Sequence, residues 1–438
     1  MRRAPAGSAS AAARIWRSYS AFAGPVAERV QSFGDTVWTE FTPLAIQHDA
    51  VNLSQGLPTV PVDGFVLDAL SDAAKPGMWH QYTRPAGHPL LVGQLAKHYS
   101  DSDKLGRDLD PMEHVLVTTG ATQAIFLFFQ TFVQEGDEVI VIEPFYDSYA
   151  PQIQMAGGTP VFVPLAHQPG LEDPEGTQSQ WGLDATALQA AFNERTKAVV
   201  LNSPHNPTGR VFSAREMEVV CQLCQQHDVL VLADEVYDKL VYSPHVHTSI
   251  ATLPGMWDRT VTLGSIGKAF NCTGWKVGWA LGPEHLLRPM AVAQQYVPFC
   301  VSTPLQQALA AAFERAEGER FFERQLSAFE RRRDILHSAL NEAGLPAELP
   351  QASYFMLADT SQVRLPAEYD SLHPFRRDYD FARWLTAEIG VACIPPSAFA
   401  SSDSAPRFGN FARFCFCKME EDIDEAGRRL KRMSEFLQ

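Results

Sequence analysis

Between about residues 110 and 283, short runs of β-branched and other apolar residues recur, separated by longer stretches with helical patterning. The runs cover 115–119, 138–142, 160–164, 198–202, 229–233, 260–263 and 276–281. Short apolar runs bounded by turn residues read as strands buried on both faces. Their alternation with helical segments predicts βαβ units, and hence an α/β fold with a mostly parallel sheet flanked by helices. Ligands in such sheets bind beyond the carboxyl ends of the strands. Chemistry is therefore expected just after the runs: at Thr119 to Thr122, Pro144 to Tyr146, Asn202 to Gly209, Asp234 to Tyr237 and Ser265 to Lys276.

The pattern changes toward the C-terminus. A charged helical stretch over 314–342 precedes separated strands at 354–357, 391–394 and 411–416, an α+β arrangement that predicts a second domain starting near residue 320. The Pro- and Gly-containing segments 58–64 and 169–176 read as linker or surface loop.

Composition narrows the function classes. A chain of 438 residues, 45% hydrophobic and 20% charged, is long enough for two or three globular domains. A formal charge of -15 with a pI near 5.3 argues against a nucleic-acid partner, which calls for a basic face. The longest apolar runs, 124–129 and 229–232, are far shorter than the roughly 20 residues of a membrane span. The first 27 residues hold Arg2, Arg3, Arg14 and Arg17 and no acid before Glu28. That is the composition of an organelle transit peptide and equally of a disordered basic extension, so cytoplasm and mitochondrion both stay open. Seven cysteines, including Cys221/Cys224 and Cys415/Cys417 in apolar surroundings, fit a reducing compartment. No second pair stands at zinc-site spacing, so Cys221 and Cys224 are expected to be helix-buried thiols and no metal is expected.

Several residues beyond the strand ends suit an anionic, aldehyde-bearing ligand. Lys268, in Ser265-Ile-Gly-Lys268, can condense with an aldehyde if its surroundings favour the neutral amine. Ser265 and Lys276 flank it and suit a dianionic phosphate. Asp234 ends an apolar strand, where a carboxylate is costly without a cationic or donor partner. A protonated pyridine nitrogen is one such partner, and a helix cap is the alternative. Tyr237 and Asn206 are donors suited to a phenolate-type oxygen. Gly120-Ala121-Thr122 opens a helical run whose N–H groups can meet a phosphate. Tyr146 suits stacking on a flat ring or a place in the core. Arg413, flanked by hydrophobes, is either an edge arginine or a bidentate carboxylate clamp.

In their order, Gly120-Ala121, Tyr146, Asn206-Pro-Thr-Gly209, Asp234-Glu-Val-Tyr237, Ser265-Ile-Gly-Lys268, Lys276 and Arg413 resemble the class I/II aminotransferases of PLP fold type I. Within them, Val51-Asn-Leu-Ser-Gln-Gly-Leu-Pro58, Gln81-Tyr-Thr83, Glu143-Pro-Phe-Tyr-Asp147, Leu253-Pro-Gly-Met-Trp257 and Thr273-Gly-Trp-Lys276 resemble the kynurenine, glutamine K and methionine aminotransferase group. The resemblance covers the chain from about Trp38 onward. It implies a pyridoxal 5′-phosphate (PLP) enzyme that transfers an amino group to a 2-oxo acid. It also implies an extension over 1–36, a small domain from 37–64 with 320–438, and a large domain over 65–319 carrying a seven-stranded sheet.

By the same resemblance Lys268 is the Schiff-base lysine and proton carrier, and Asp234 pairs the pyridine nitrogen. Asn206 and Tyr237 bind the ring's 3-oxygen and Tyr146 stacks on the ring. Gly120, Ala121, Ser265 and Lys276 hold the phosphate, joined by Tyr82 from the other subunit of a homodimer. Arg413 clamps the substrate carboxylate, with Asn206, Trp38 and Gly56 on the substrate side. Thr122 and Cys300 depart from the kynurenine-processing pattern, where an aromatic and a histidine are often found. The stretches that the resemblance places around the substrate side chain, Trp38, 56–58, Thr122, Tyr146 and 299–300, contain no Arg or Lys, which implies large neutral substrates: methionine, glutamine, leucine and aromatic amino acids, with kynurenine a further candidate. A C–S β-lyase would use the same site. An NAD-dependent dehydrogenase is disfavoured because no G-x-G-x-x-G follows a strand. A PLP-sensing transcription regulator would need a DNA-binding domain ahead of Trp38.

Overall fold

All seven apolar runs become strands of one sheet: β1 (Val115–Thr118), β2 (Glu138–Glu143), β3 (Thr159–Pro164), β4 (Thr196–Asn202), β5 (Leu230–Asp234), β6 (Thr260–Ser265) and β7 (Gly278–Leu281). The computed structural model describes residues 27–31, 33–101, 104–168, 179–369 and 376–437. Most of the expected N-terminal extension and the expected loop 169–176 lie outside them. Residues 27–34 belong to a unit of their own containing a short helix, Glu28–Gln31, and Asp35–Gln438 form the other unit.

The spatial order is β1-β7-β6-β5-β4-β2-β3. Neighbours pair in parallel except at β7, which runs against both β1 and β6. β1 and β2 are buried at every position, as strands covered on both faces must be. The edge strand β3 is buried only at Val163 and carries Pro160 and Pro164, residues that a central strand does not tolerate.

This topology decides where the chemistry sits. Because β7 alone is reversed, the carboxyl ends of β1, β2, β4, β5 and β6 share one edge with the amino end of β7. Register then fixes the neighbours: Gly278 lies opposite both Thr118 and Ser265, and Asn202 lies opposite Asp234.

Four helices matter for the site and its surroundings: α1 (Val37–Gln47), α2 (Ala121–Phe132), α3 (Thr303–Ala316) and α4 (Phe321–Glu342). The expected continuous helix over 314–342 is instead the end of α3 and the whole of α4. The break holds Gly318, and Arg320 adopts φ 47°, a left-handed conformation that a helix cannot include.

Beyond α4, β8 (Phe355–Asp359) and β9 (Phe411–Cys415) form an antiparallel pair in which Arg413 faces Leu357. The run expected at 391–394 shortens to Val391–Ala392, paired in parallel with Val51–Asn52, because Pro395 and Pro396 follow at once. One hydrophobic cluster joins Phe41 and Leu53 to Phe329, Tyr354, Phe381, Ile394 and Phe414.

Candidate active site

A cavity of about 380 Å³ opens at the shared strand edge. It is lined by Trp38, Gly56, Gly120, Ala121, Thr122, Tyr146, Asn206, Asp234, Tyr237, Ser265, Lys268, Lys276 and Arg413. Every site residue expected from the sequence is thus brought together, with one exception. Tyr82 is 85% exposed and packs edge-on against Phe299, with ring centroids 5.3 Å apart. Cys300, next to Phe299, does not line the cavity either.

Asp234 ends β5 at 4% exposure. The Tyr149 hydroxyl donates to its Oδ2 at 2.5 Å, and the Val236 N–H reaches its Oδ1 at 3.4 Å. A turn rather than a helix follows, so the carboxylate caps no helix. Burial raises its pKa, opposed by the Tyr149 hydrogen bond. A cationic N–H delivered into the cavity would offset that burial, which is what a protonated ring nitrogen provides.

Lys268 follows β6 in the short helix Ile266–Ala269. Its amine donates to the Tyr354 hydroxyl at 2.6 Å. Burial lowers its pKa, against the pull of Cys417, Cys415 and Asp234. A partly buried lysine biased toward the neutral amine is the form that attacks an aldehyde or accepts a proton.

The start of α2 is built for an anion. Gly120 adopts φ 75° and caps the helix with no side-chain hydrogen bond. A Cβ there would lie 3.3 Å from the Lys276 amine, so glycine keeps the space between helix start and lysine open. Gly278 is required nearby, since a Cβ on it would meet the Ala121 nitrogen at 2.5 Å. Helix N–H groups beside a lysine form a ready phosphate cradle.

Arg413 is 2% exposed. Its backbone exchanges both hydrogen bonds with Ile394, at 2.9 and 3.1 Å. One guanidinium nitrogen donates to Asn206 Oδ1 at 3.1 Å and another to the Ser54 carbonyl at 2.9 Å, while buried Nε makes no hydrogen bond. Phe355 and Phe399 lie 4.3 and 4.8 Å from the guanidinium. Arg413 is therefore no edge arginine, but a rigidly held cation at the cavity wall. Asn206 is fixed in turn by Asn202, whose Oδ1 accepts its N–H at 2.8 Å and whose amide donates to the Asp234 carbonyl at 2.8 Å.

Sequence reasoning placed Asn202 in a segment where chemistry was expected but gave no role to it, nor to Tyr149, Tyr354, Phe399 and Asp147. Asp147 accepts from the Trp38 indole at 3.1 Å. Tyr149 lies only three residues beyond Tyr146, and Asn202 ends its strand as Asp234 does, so position alone could have flagged both. Thr122 reaches the cavity as expected, with its hydroxyl 3.4 Å from that of Tyr146. Cys221 and Cys224 lie buried in the helix Ala214–Gln226.

A family profile described as aminotransferase class I and II matches residues 48–430. The chain belongs to this family. It is 42% identical over 417 residues to human kynurenine–oxoglutarate transaminase 1, covering 93% of this chain and 97% of the relative. It is 41% identical over 420 residues to the kynurenine–oxoglutarate transaminase of Dictyostelium discoideum, covering 93% and 96%. The crystal structure of Bna3p from Saccharomyces cerevisiae matches with a TM-score of 0.88 at 32% identity, covering 94% of this chain and 100% of that one. An Escherichia coli protein with a methionine aminotransferase function, YbdL, matches at 0.81 and 31%, covering 93% and 100%. Class I and II aminotransferases use PLP, so this aminotransferase is a PLP-dependent transaminase acting on amino acids and 2-oxo acids. Among the described residues, no helix is long and apolar enough to cross a membrane.

Proposed function

We propose that this aminotransferase moves the amino group of large neutral amino acids, methionine and aromatic ones foremost, to a 2-oxo acid. The observation that carries this reading is the set of cations lining the cavity among the described residues: Lys268, Lys276 and Arg413. Lys268 is the covalent anchor, Lys276 is committed to phosphate, and Arg413 meets the α-carboxylate. Among the described residues no further cation lines the cavity to face a side-chain carboxylate, whereas Trp38, Leu57, Tyr146, Phe355 and Phe399 give apolar area to a neutral side chain. Each buried CH₂ adds about 0.8 kcal/mol. The names of the kynurenine and methionine relatives lend support.

PLP supplies an electron sink for the pair left when the substrate Cα–H bond breaks. Around it, Asp234 holds the ring nitrogen protonated, Asn206 and Tyr237 donate to the ring oxygen, and Tyr146 stacks on the ring. Gly120, Ala121, Ser265 and Lys276 bind the phosphate. Lys268 would take the proton from the substrate Cα and carry it on its amine. Tyr82 acts from a second copy of the chain, since it stands 85% exposed against Phe299, itself 45% exposed. Residues 37–64 with 320–438 act as the small domain against 65–319.

The test is kcat/KM for methionine, phenylalanine, kynurenine and aspartate with one shared 2-oxo acid. Methionine and phenylalanine should exceed aspartate. An excess for aspartate overturns the neutral-pocket reading.

A further inference from the structure

The amine of Lys268 is held from behind by a residue that does not line the cavity. Tyr354 is fully buried, and its ring is wedged edge-on against Tyr237 and Phe355, with centroids 5.2 and 4.8 Å away. Its hydroxyl accepts from Lys268 Nζ at 2.6 Å and donates to the Gly56 carbonyl at 3.0 Å. A phenol has one proton to give. The Gly56 carbonyl can only accept, and with the phenol proton turned to it the oxygen acts toward Lys268 as an acceptor. Burial raises the phenol's pKa well above its ordinary value, so the proton stays on oxygen. The segment bearing Gly56 packs closely on Phe355, where a Cβ on Gly56 would lie 2.8 Å from Phe355 Cζ, and three residues earlier the Leu53 carbonyl accepts from the Cys415 N–H at 2.8 Å.

We propose that Tyr354 is a positioning residue for the proton transfer: it takes one N–H of the freed Lys268 amine and thereby aims the nitrogen lone pair at the substrate Cα. The inference rests on the reading of Lys268 as the proton carrier. In the step it serves, the lone pair forms a new N–H bond while the Cα–H bond breaks, and the electron pair of that bond passes to PLP. Lysine has a flexible four-carbon stem, and without an acceptor at this point its amine would sample orientations in which the lone pair faces away.

Tyr354→Phe removes the acceptor and keeps the ring. With one hydrogen bond lost, kcat should fall about tenfold. KM should stay within about twofold, since no substrate contact is touched. Visible absorption should show normal PLP occupancy. The isotope effect on kcat with Cα-deuterated substrate should rise, because proton transfer becomes slower relative to other steps. Phe329→Leu, which trims packing against the Tyr354 ring (centroids 6.1 Å) and leaves the hydroxyl, is the control. It should lower thermal stability without raising the isotope effect. An unchanged isotope effect with near-normal kcat in Tyr354→Phe overturns the proposal. So does an equal rise in Phe329→Leu, which would make the role one of packing. Lys268→Ala separates the two readings: if it stays active the assignment of Lys268 fails, and if it is inactive while Tyr354→Phe is normal, only the role of Tyr354 fails.

Discussion

The floor of the cavity and its rim are built on different terms. On the floor, Asp234 and Arg413 are 4% and 2% exposed, and each is set on a strand whose register is fixed by ladder hydrogen bonds. At the rim, Leu57 is 49% exposed on a segment outside the strands, while Phe299 and Tyr82, 45% and 85% exposed, do not line the cavity within one copy of the chain. Burial makes the floor electrostatics strong and expensive, so each charge there must have a partner. The rim carries no such obligation and can vary with the side chain to be recognised. The difference teaches that reaction type is written in the sheet and substrate choice in the loops and helices that border it.

Changes to the floor should therefore do the most harm. On the proposed reading Lys268→Ala removes both the anchor and the proton carrier, and a placed base alone contributes about 10²- to 10⁴-fold. Turnover should drop by at least that factor, with loss of the visible absorption of bound PLP. A variant of near-normal rate would dissolve the distinction between floor and rim.

Asp234→Ala comes next. Removing one member of a buried charge pair costs about 3 to 5 kcal/mol. Weaker PLP retention on dialysis and a fall in kcat are the expected readouts. Asp234→Asn should sharpen the point, since it keeps the shape and the Tyr149 contact but not the charge. Normal retention in both variants would mean that Tyr149 is the only partner the carboxylate serves.

How much of this was legible beforehand follows the same division. The strands of the floor were readable because a strand buried on both faces writes itself as a short unbroken apolar run. Asp234 stood out because a charge at the end of such a run is out of place, and Lys268 because Ser265 and Lys276 flank it. The partners of those charges were not readable. Tyr354 meets Lys268 across 86 positions and Tyr149 meets Asp234 across 85, and no local periodicity encodes such a meeting. Arg413 stayed ambiguous for a related reason: strand alternation tells which residues share a face, not whether that face is buried. The helix break at residues 317–320 was hidden by Glu and Arg, good helix formers on either side of Gly318.

Arg413→Lys probes the buried floor at the point where it meets the substrate carboxylate in the proposed reading. A lysine keeps the charge but not the fork that meets a carboxylate in bidentate fashion, and hydrogen bonds to charged groups contribute about 1.5 to 3 kcal/mol each. KM for all amino-acid donors should rise together, with their ranking preserved. A change of ranking would show that Arg413 also reads side chains.

Tyr82 tests whether the rim is shared between copies of the chain. Inactive Tyr82→Ala mixed with inactive Lys268→Ala should regain activity after subunit exchange, because one of the two hybrid sites then holds both native residues. No recovery would assign each site to a single chain.

The smallest expected effect lies at Asp147, which joins the two regions. It follows β2 by four residues, and its Oδ2 accepts from the Trp38 indole at 3.1 Å. Trp38 in turn lies 5.6 Å from the Arg413 guanidinium and 6.3 Å from the Phe399 ring. Burial raises the Asp147 carboxyl's pKa, with the Trp38 hydrogen bond opposing the shift. If the indole is set by this hydrogen bond, Asp147→Ala should lower kcat/KM by the worth of one such bond, about 0.5 to 1.5 kcal/mol or roughly two- to tenfold. The loss should fall on phenylalanine and methionine, whose side chains pack on the indole, and spare alanine. Asp147→Asn retains an acceptor oxygen and should stay within about twofold of the parent enzyme. Equal losses in both variants would make the carboxylate charge, not the acceptor, the working feature. No loss in either would mean that Arg413 and Phe399 hold Trp38 unaided, and that this part of the rim is as firmly preset as the floor.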